Sequence, residues 1–236
     1  FSKRHVEMYR LRHIVLSGIY IFIPSFIVFF QPDMGSAIIL VFLWIGILLI
    51  SGIKLRYFLL LLFIGLIFFT TSWFFLLKDY QKSRIVNFIY PYSDPLGAGW
   101  SQIQSKIAIG SGGIFGQGIF KGSQTQYGFL SEPHTDFIFA SIAEEMGFLG
   151  VSILFLLFGL LIRELFKIVF NSDSNFKRLF AAGFAVLLMS HFFVNIGMNL
   201  GILPVVGIPL PFVSYGGSSM ISTFIALGII QSINTH

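Results

Sequence analysis

The sequence predicts an all-α, polytopic transmembrane helical bundle, and three observations predict it. Hydrophobic residues make up 56% of the chain and charged residues only 11%, with a mean hydropathy of +0.86, against the roughly 25% charged residues of ordinary soluble domains. The apolar residues gather into six runs, each near the roughly 20 residues that a helix needs to cross a bilayer. The basic residues segregate between alternate connections, as the loops of a membrane protein do.

In chain order the six runs are Ile14 to Phe30, Met34 to Ser51, Tyr57 to Leu77, Phe137 to Ile162, Leu179 to Asn199 and Phe212 to Ile233. The first two are short on their apolar cores alone. Strands of this length are excluded because an open strand in lipid leaves its backbone N–H and C=O groups unpaired, whereas a helix pairs them within the segment. The chain reads as one integral membrane domain over residues 1–236, interrupted by a long connection at 78–136. It opens on Phe1 with the basic patch "FSKRH" and has no signal-peptide pattern, so the start reads as the middle of a longer protein.

With the N-terminus inside, the inner segments hold Lys3, Arg4, Arg10, Arg12, Lys54, Arg56, Arg163, Lys167, Lys177 and Arg178, ten of the fifteen Lys and Arg residues. The other five, Lys78, Lys82, Arg84, Lys106 and Lys121, all fall in the long outer loop, where the charge rule counts weakly. Both termini are therefore expected in the cytoplasm. Three unusual segments then share the outer face: "QPDMG" (Gln31 to Gly35), the long loop, and "GILPVVGIPLPFVSYGG" (Gly201 to Gly217). The chemistry is expected there.

A connection as long as Lys78 to Thr135 usually has elements or a function of its own. Within it, "GWSQIQSKIAI" sets Trp100, Ile103 and Ile107 at helical spacing, with Gln102, Ser105 and Lys106 elsewhere around the turn, which predicts an amphipathic helix lying at the interface. The stretch "GSGGIFGQGIFKG" carries six glycines in thirteen residues. It matches neither the dinucleotide nor the P-loop pattern and reads either as a flexible turn packed tightly on the membrane face or as backbone amides that contact a phosphate. The prolines Pro204, Pro209 and Pro211, with Gly216 and Gly217, predict a shaped, partly re-entrant loop bordering the site.

Ionisable residues at membrane depth are the strongest functional signal. Asp136 sits where the outer loop enters the fourth run, wetted on one side and shielded on the other, so its pKa can rise into the range of a general base; alternatively, Asp136 or Thr135 caps the helix. Glu144 and Glu145 lie about 12 to 14 Å deeper at 1.5 Å per residue. Either they find polar partners between helices, with His191, Asn195 and Asn199 available as one polar stripe at i, i+4 and i+8 on the fifth run, or they line a cavity that receives a lipid headgroup. Asp33 either caps the second helix or joins Asp136 in holding substrate or a divalent cation. His134 has no second histidine at ligand spacing, which leaves it to position loop or substrate. Stabilising an anionic leaving group calls for a cation, with Lys106 first and Lys121 and Arg84 behind it. Gln124, Glu132, Ser214 and Tyr215 complete the candidate substrate-binding set. The absence of cysteine excludes thiol nucleophiles, disulfides and cysteine metal sites.

Four stretches in order, "QPDMGSA", "DPLGAGWSQIQSKIAIGSGGIFGQG", "EPHTDFIFASIAEEMGFLG" and "NIGMNLGILPVVGIPLPFVSYGGSS", resemble the SEDS proteins (shape, elongation, division and sporulation), the polytopic peptidoglycan polymerases. The loop reading "QSKIAIGSGG" then "KGSQTQYGFL" resembles the elongation branch rather than the division branch. The resemblance implies about ten spans in the family, of which these six would be the last. It also implies a Pro-Ser-Glu motif with a following lysine upstream of Phe1, and the family's essential aspartate at Asp136. The implied activity is inverting glycosyl transfer, polymerising lipid II into glycan strands at the outer face of the bacterial cytoplasmic membrane during cell elongation and cell-shape maintenance. The implied partners are lipid II, membrane lipid and a class B penicillin-binding protein transpeptidase, with no nucleic acid. A lipid II flippase and a non-catalytic scaffold of the cell-wall synthesis complex are the alternatives. The clustering of motifs on one face argues against alternating access, which needs equipment on both.

Overall fold

The computed structural model describes residues 11–31, 33–91, 98–172 and 174–235. The opening basic patch with Lys3, Arg4 and Arg10, Pro32 of the QPDMG stretch, and residues 92–97 with the start of the DPLG stretch lie outside the described residues. Regular structure among the described residues is entirely helical: α1 (Leu11–Phe30), α2 (Met34–Ile50), α3 (Leu55–Phe75), α4 (Asp79–Ile89), α5 (Ala98–Ser111), α6 (Ser123–Gln126), α7 (Ile138–Asn171), α8 (Asn175–Asn199) and α9 (Gly217–Thr235).

All six predicted runs are helical. Three of them, α3, α7 and α8, are long and apolar enough to cross a membrane, and Ile14–Phe30, Met34–Ile50 and Gly217–Ile233 form shorter apolar stretches. The bounds shift for local reasons. The fourth helix continues past Ile162 to Asn171, because Arg163, Glu164 and Lys167 are sound helix formers although polar, and Lys167 reaches Glu164 at 2.7 Å. The sixth starts at Gly217 rather than Phe212, since Phe212 takes a positive φ of 65° and Ser214 is drawn into the preceding turn. In the long connection the sequence reading missed α4, which is amphipathic but polar on average and so does not stand out as an apolar run.

α8 is the hub, packed on α7 and α2 and touching α9 and α5. In lipid there is no hydrophobic drive for helices to associate, so close approach of small residues and interhelical hydrogen bonds take its place. Ala181, Ala182 and Ala185 of α8 are fully buried. Gly46 of α2 faces Val186 so closely that a Cβ there would stand 2.8 Å from Val186 Cγ2. Above this contact Ile39, Val194, Met198, Val206 and Ile208 form one apolar cluster. Phe139, Phe158, Phe192, Ile196 and Leu210 form a second between α7 and α8, in which the Phe158 and Phe192 rings lie 4.4 Å apart. Both clusters include residues of the Gly201 to Gly217 segment, which therefore packs into the bundle as a shaped loop.

The glycine-rich stretch is bonded into the break of a helix, with Ile114, Phe115, Ile119 and Phe120 exposed. α7 is broken at Gly147 (φ 63°, ψ −161°), a conformation open essentially to glycine alone. A break frees backbone groups whose burial without partners costs several kcal/mol each in lipid. The stretch supplies those partners: Gln117 N donates to Glu144 O at 2.9 Å and Gly118 N to Glu145 O at 3.0 Å, while Phe148 N donates to Gly113 O at 2.9 Å and Leu149 N to Ile114 O at 3.2 Å. Glycine is required for the approach, since a Cβ on Gly147 would stand 2.6 Å from Ile114 O. The amides of Gln117 and Gly118 are thus committed to α7, which removes them from the phosphate-contact alternative.

Candidate active site

The site is assembled where the long connection, the start of α7, the end of α8 and the proline-rich segment meet. Glu132 opens the turn into α7 with φ +45°, and its carbonyl accepts from Thr135 N at 3.3 Å and Phe137 N at 3.2 Å. Neither Thr135 nor Asp136 caps α7: the N-cap is Phe137, without a side-chain cap bond. The cap comes from another helix. Asn199 Oδ1 accepts from Ala140 N at 3.1 Å, and the Asn195 and Asn199 Nδ2 groups each donate to the Asp136 carbonyl at 3.0 Å. Two fully buried asparagines of α8 therefore hold the Asp136 backbone from below. On the other side Ser214 Oγ donates to Thr135 O at 2.7 Å, Tyr215 N donates to His134 O at 2.8 Å, and Asn195 Nδ2 also donates to Ile208 O at 2.7 Å.

With its backbone clamped, the half-buried Asp136 carboxylate accepts no hydrogen bond among the described residues. It stands beside Gly207 (φ +74°), whose hypothetical Cβ would lie 3.4 Å from Oδ2. Burial pushes its pKa above the ordinary carboxylate value; the Glu132 charge adds to the rise and the Arg84 guanidinium opposes it. A carboxylate with a raised pKa and a free oxygen has the chemistry of a general base.

The other candidates divide by position. Glu132, His134 and Tyr215 are exposed around Asp136, and Ser214 is buried beneath it. Arg84 of α4 lies near enough for its charge to act on Asp136. Lys106 lies instead over Gly201, just past the end of α8. α5 turns Gln102, Ser105 and Ala108 inward and leaves Ile107 46% exposed; Ser105 Oγ donates to Asn199 O at 2.8 Å and ties this face of the helix to α8. Asp33 is engaged as the N-cap of α2, receiving Ser36 N at 3.0 Å and Ser36 Oγ at 2.6 Å. Among the described residues no group of three or more His, Cys, Asp or Glu gathers as a metal cluster.

Glu144 departs from its expected partners. Its fully buried carboxylate accepts from Gln124 N at 2.7 Å, Thr125 Oγ1 at 2.8 Å, Thr125 N at 3.1 Å and Ser123 Oγ at 3.3 Å, all in the outer connection, and not from the α8 stripe. Gln124 takes part through its backbone N–H. His191 binds Pro209 O through Nδ1 at 3.2 Å. Glu145 offers its carbonyl to Gly118 N, and its side chain accepts no hydrogen bond among the described residues. Lys121 is exposed beside Gly118, on the Glu144 side of the connection. Sequence reasoning missed Ser141, which links Thr125 Oγ1 (3.3 Å) to Pro133 O (3.2 Å); a serine inside an apolar run was the available signal.

A helical bundle whose longest apolar helices fit a bilayer, with one clamped carboxylate at a helix mouth and a loop threaded into a helix break, defines an integral membrane protein of the SEDS type. The family model of the FtsW/RodA/SpoVE cell cycle proteins matches residues 1–236, and the chain belongs to that family. It is 45% identical over its whole length to the peptidoglycan glycosyltransferase MrdB of Escherichia coli K12, of which it covers 64%. It is 47% identical over 160 residues, 68% of this chain and 37% of the relative, to the peptidoglycan glycosyltransferase RodA of Treponema pallidum. Among solved structures, a peptidoglycan synthase complex that coordinates polymerization and crosslinking matches with a TM-score of 0.76 at 34% identity, covering 96% of this chain and 62% of that one. The Thermus thermophilus rod shape-determining protein RodA matches at 0.63 and 27% identity, with 97% and 59% covered. The chain thus spans a little under two thirds of the E. coli relative.

Proposed function

We propose that the protein is a peptidoglycan glycosyltransferase that polymerises lipid II, with Asp136 as general base. The observation that carries the reading is Asp136, its carbonyl held by Asn195 and Asn199 and its carboxylate without a hydrogen-bonding partner among the described residues and raised in pKa by burial. In the reaction a sugar hydroxyl of one lipid-linked disaccharide attacks the anomeric carbon of another. The new glycosidic C–O bond forms as the bond to phosphate breaks, the electron pair leaves with the polyprenyl diphosphate, and Asp136 takes the hydroxyl proton. Arg84 and Lys106 are the cations assigned to the developing negative charge, and Glu132, His134 and Tyr215 rim the opening for the sugar. Lys121 and Glu145 belong to the outer edge of the same substrate surface.

The six apolar helices are read as six spans with both termini inside, from the split of basic residues between short loops. This puts the 78–136 connection and the site on the extracytoplasmic face of the cytoplasmic membrane. A class B penicillin-binding protein transpeptidase is the proposed partner, a reading supported by the likeness to the synthase complex. The deciding experiment is glycan polymerisation from labelled lipid II by the full-length protein. Wild type should extend strands and Asp136→Asn should not; polymerisation by the variant near the wild-type rate would refute the general-base role.

A further inference from the structure

α5 runs alongside α7 and carries the chain below the mouth of that helix. Ala108 packs with Phe137 and Ala140, Gly112 lies so close to the Ala143 carbonyl that no Cβ would fit, and the Gly113 and Ile114 carbonyls accept from Phe148 N and Leu149 N. The chain then turns back: Gln117 N and Gly118 N donate to Glu144 O and Glu145 O, and Gly122 rests against the Glu144 side chain. Ile114 and Phe115 stand at the turn. α7 supplies the depth scale. After Glu145 it carries no charged residue until Arg163, and about 20 residues of helix span the hydrocarbon layer, so counting back from Arg163 sets the edge on the active-site side near Ala143. Phe148 and Leu149, bonded to the turn, lie about 7 to 9 Å below that edge at 1.5 Å per residue.

The side chains of the turn suit that depth. Ile114, Phe115, Ile119 and Phe120 are 62%, 78%, 63% and 80% exposed, and residues 112–120 include no charged side chain. Phe148, Leu149 and Ile153 of α7 are exposed as well, and the bonds from Phe148 N and Leu149 N make the two apolar surfaces continuous. Turned to water, such a cluster would be an open apolar patch; beside a spanning helix it extends the surface that meets lipid. Irregular backbone is tolerated at this depth only where its polar groups are paired. Here the break in α7 pairs Gly113 O, Ile114 O, Gln117 N and Gly118 N, and Gly116 N donates to Gly112 O at 2.7 Å.

We propose that α5 and the glycine-rich turn form a re-entrant segment whose tip, Ile114, Phe115, Ile119 and Phe120, is seated among the acyl chains of the leaflet on the active-site side. Interfacial segments bury an apolar face by about 5–10 Å, which is the depth of the turn. The tip moors the connection just before the Ser123 to Thr125 stretch that Glu144 holds. The proposal depends neither on the reaction nor on which face of the membrane is outside.

The test uses the full-length protein in nanodiscs of phosphatidylethanolamine and phosphatidylglycerol, with a nitrobenzoxadiazole label on one introduced cysteine at a time. Phe115→Cys and Phe120→Cys probe the tip. Ile153→Cys on α7 serves as the lipid reference and Tyr127→Cys, at a residue 76% exposed, as the water reference. All four side chains are exposed, so labelling leaves the core undisturbed. Labels at 115 and 120 should be quenched about twofold or more strongly by a nitroxide on the lipid acyl chain than by aqueous iodide, as at 153, with the reverse order at 127. Iodide quenching at 115 and 120 that matches 127 would overturn the proposal by placing the tip in water. Shielding from both quenchers would overturn it too, because a protein surface, from the rest of the molecule or from a partner, would then cover the tip in place of lipid.

Discussion

Replacing Glu144 should release the outer connection from α7 without unfolding the bundle. The carboxylate receives four hydrogen bonds from Ser123, Gln124 and Thr125, among them two backbone N–H groups at the start of the one-turn helix α6, where no intrahelical acceptor exists. It also fills the space over Gly122, where a Cβ would stand 2.6 Å from Oε2. Glu144→Ala leaves both N–H groups without an acceptor and the Thr125 hydroxyl with only Ser141 Oγ at 3.3 Å. At about 1–3 kcal/mol for each unmet buried group, the two backbone donors alone cost about 2–6 kcal/mol. At about 1.4 kcal/mol per tenfold, amide exchange at 117–130 should accelerate by roughly 30-fold to 20,000-fold, whereas α8 should keep its protection. Glu144→Gln keeps one acceptor oxygen but turns an NH2 toward a donor, so its effect should be about half as large on the logarithmic scale. Hydrogen exchange with mass spectrometry in nanodiscs reads this segment by segment. Because Thr125 is linked through Ser141 to Pro133, loosening should spread to the turn that carries Asp136, and polymerisation should fall in the same order, Gln before Ala. Unchanged exchange over 117–130 in Glu144→Ala would refute the reasoning, and so would acceleration spread uniformly over α7 and α8.

Other expectations follow from the same geometry. Burial raises the Asp136 pKa, so a base at this position should give an acidic limb of the polymerisation profile above the ordinary carboxylate range; Glu132→Gln should lower that limb and Arg84→Gln should raise it, as a pH–rate series would reveal. The linkage sign is fixed by the same shift: the stability associated with protonated Asp136 is fully present at low pH and lost as pH rises through the folded pKa. Asp136→Asn should therefore melt higher than wild type near neutral pH, with the difference closing on acidification, measured by thermal unfolding in detergent. Gly147→Ala meets both a positive φ and the Ile114 carbonyl and should cost about 1–3 kcal/mol from backbone strain alone, read as a lowered melting temperature. A cysteine at Tyr127, which is 76% exposed, should react with an impermeant thiol reagent in intact cells; labelling only after lysis would reverse the proposed topology. Photo-crosslinkers scanned along the helices should capture the proposed transpeptidase from one face of the bundle, and even labelling around it would count against a specific surface.

What the sequence by itself determined is the part governed by local solvation. Apolar runs of spanning length must be helical in lipid because only a helix pairs its own backbone, and every predicted run is a helix. The carboxylate at the mouth of α7 was equally legible, since an Asp at the edge of an apolar run is costly wherever the chain folds. Partner choice was not legible. The stripe His191, Asn195 and Asn199 was read correctly as one polar face, but its partners were assigned to Glu144, whereas two of its members grip the Asp136 carbonyl and Glu144 binds the outer connection. The apolar spacing of α5 did not reveal the bond from Ser105 to the carbonyl of Asn199, 94 residues away, which ties its polar face to α8. The break at Gly147 depends on Gly113 and Ile114 arriving from another segment to meet its freed backbone groups. Hydropathy is a property of neighbours in sequence, whereas a buried hydrogen bond goes to whichever group the packed chain brings within about 3 Å, and in this bundle those groups come from helices and loops far apart in the chain.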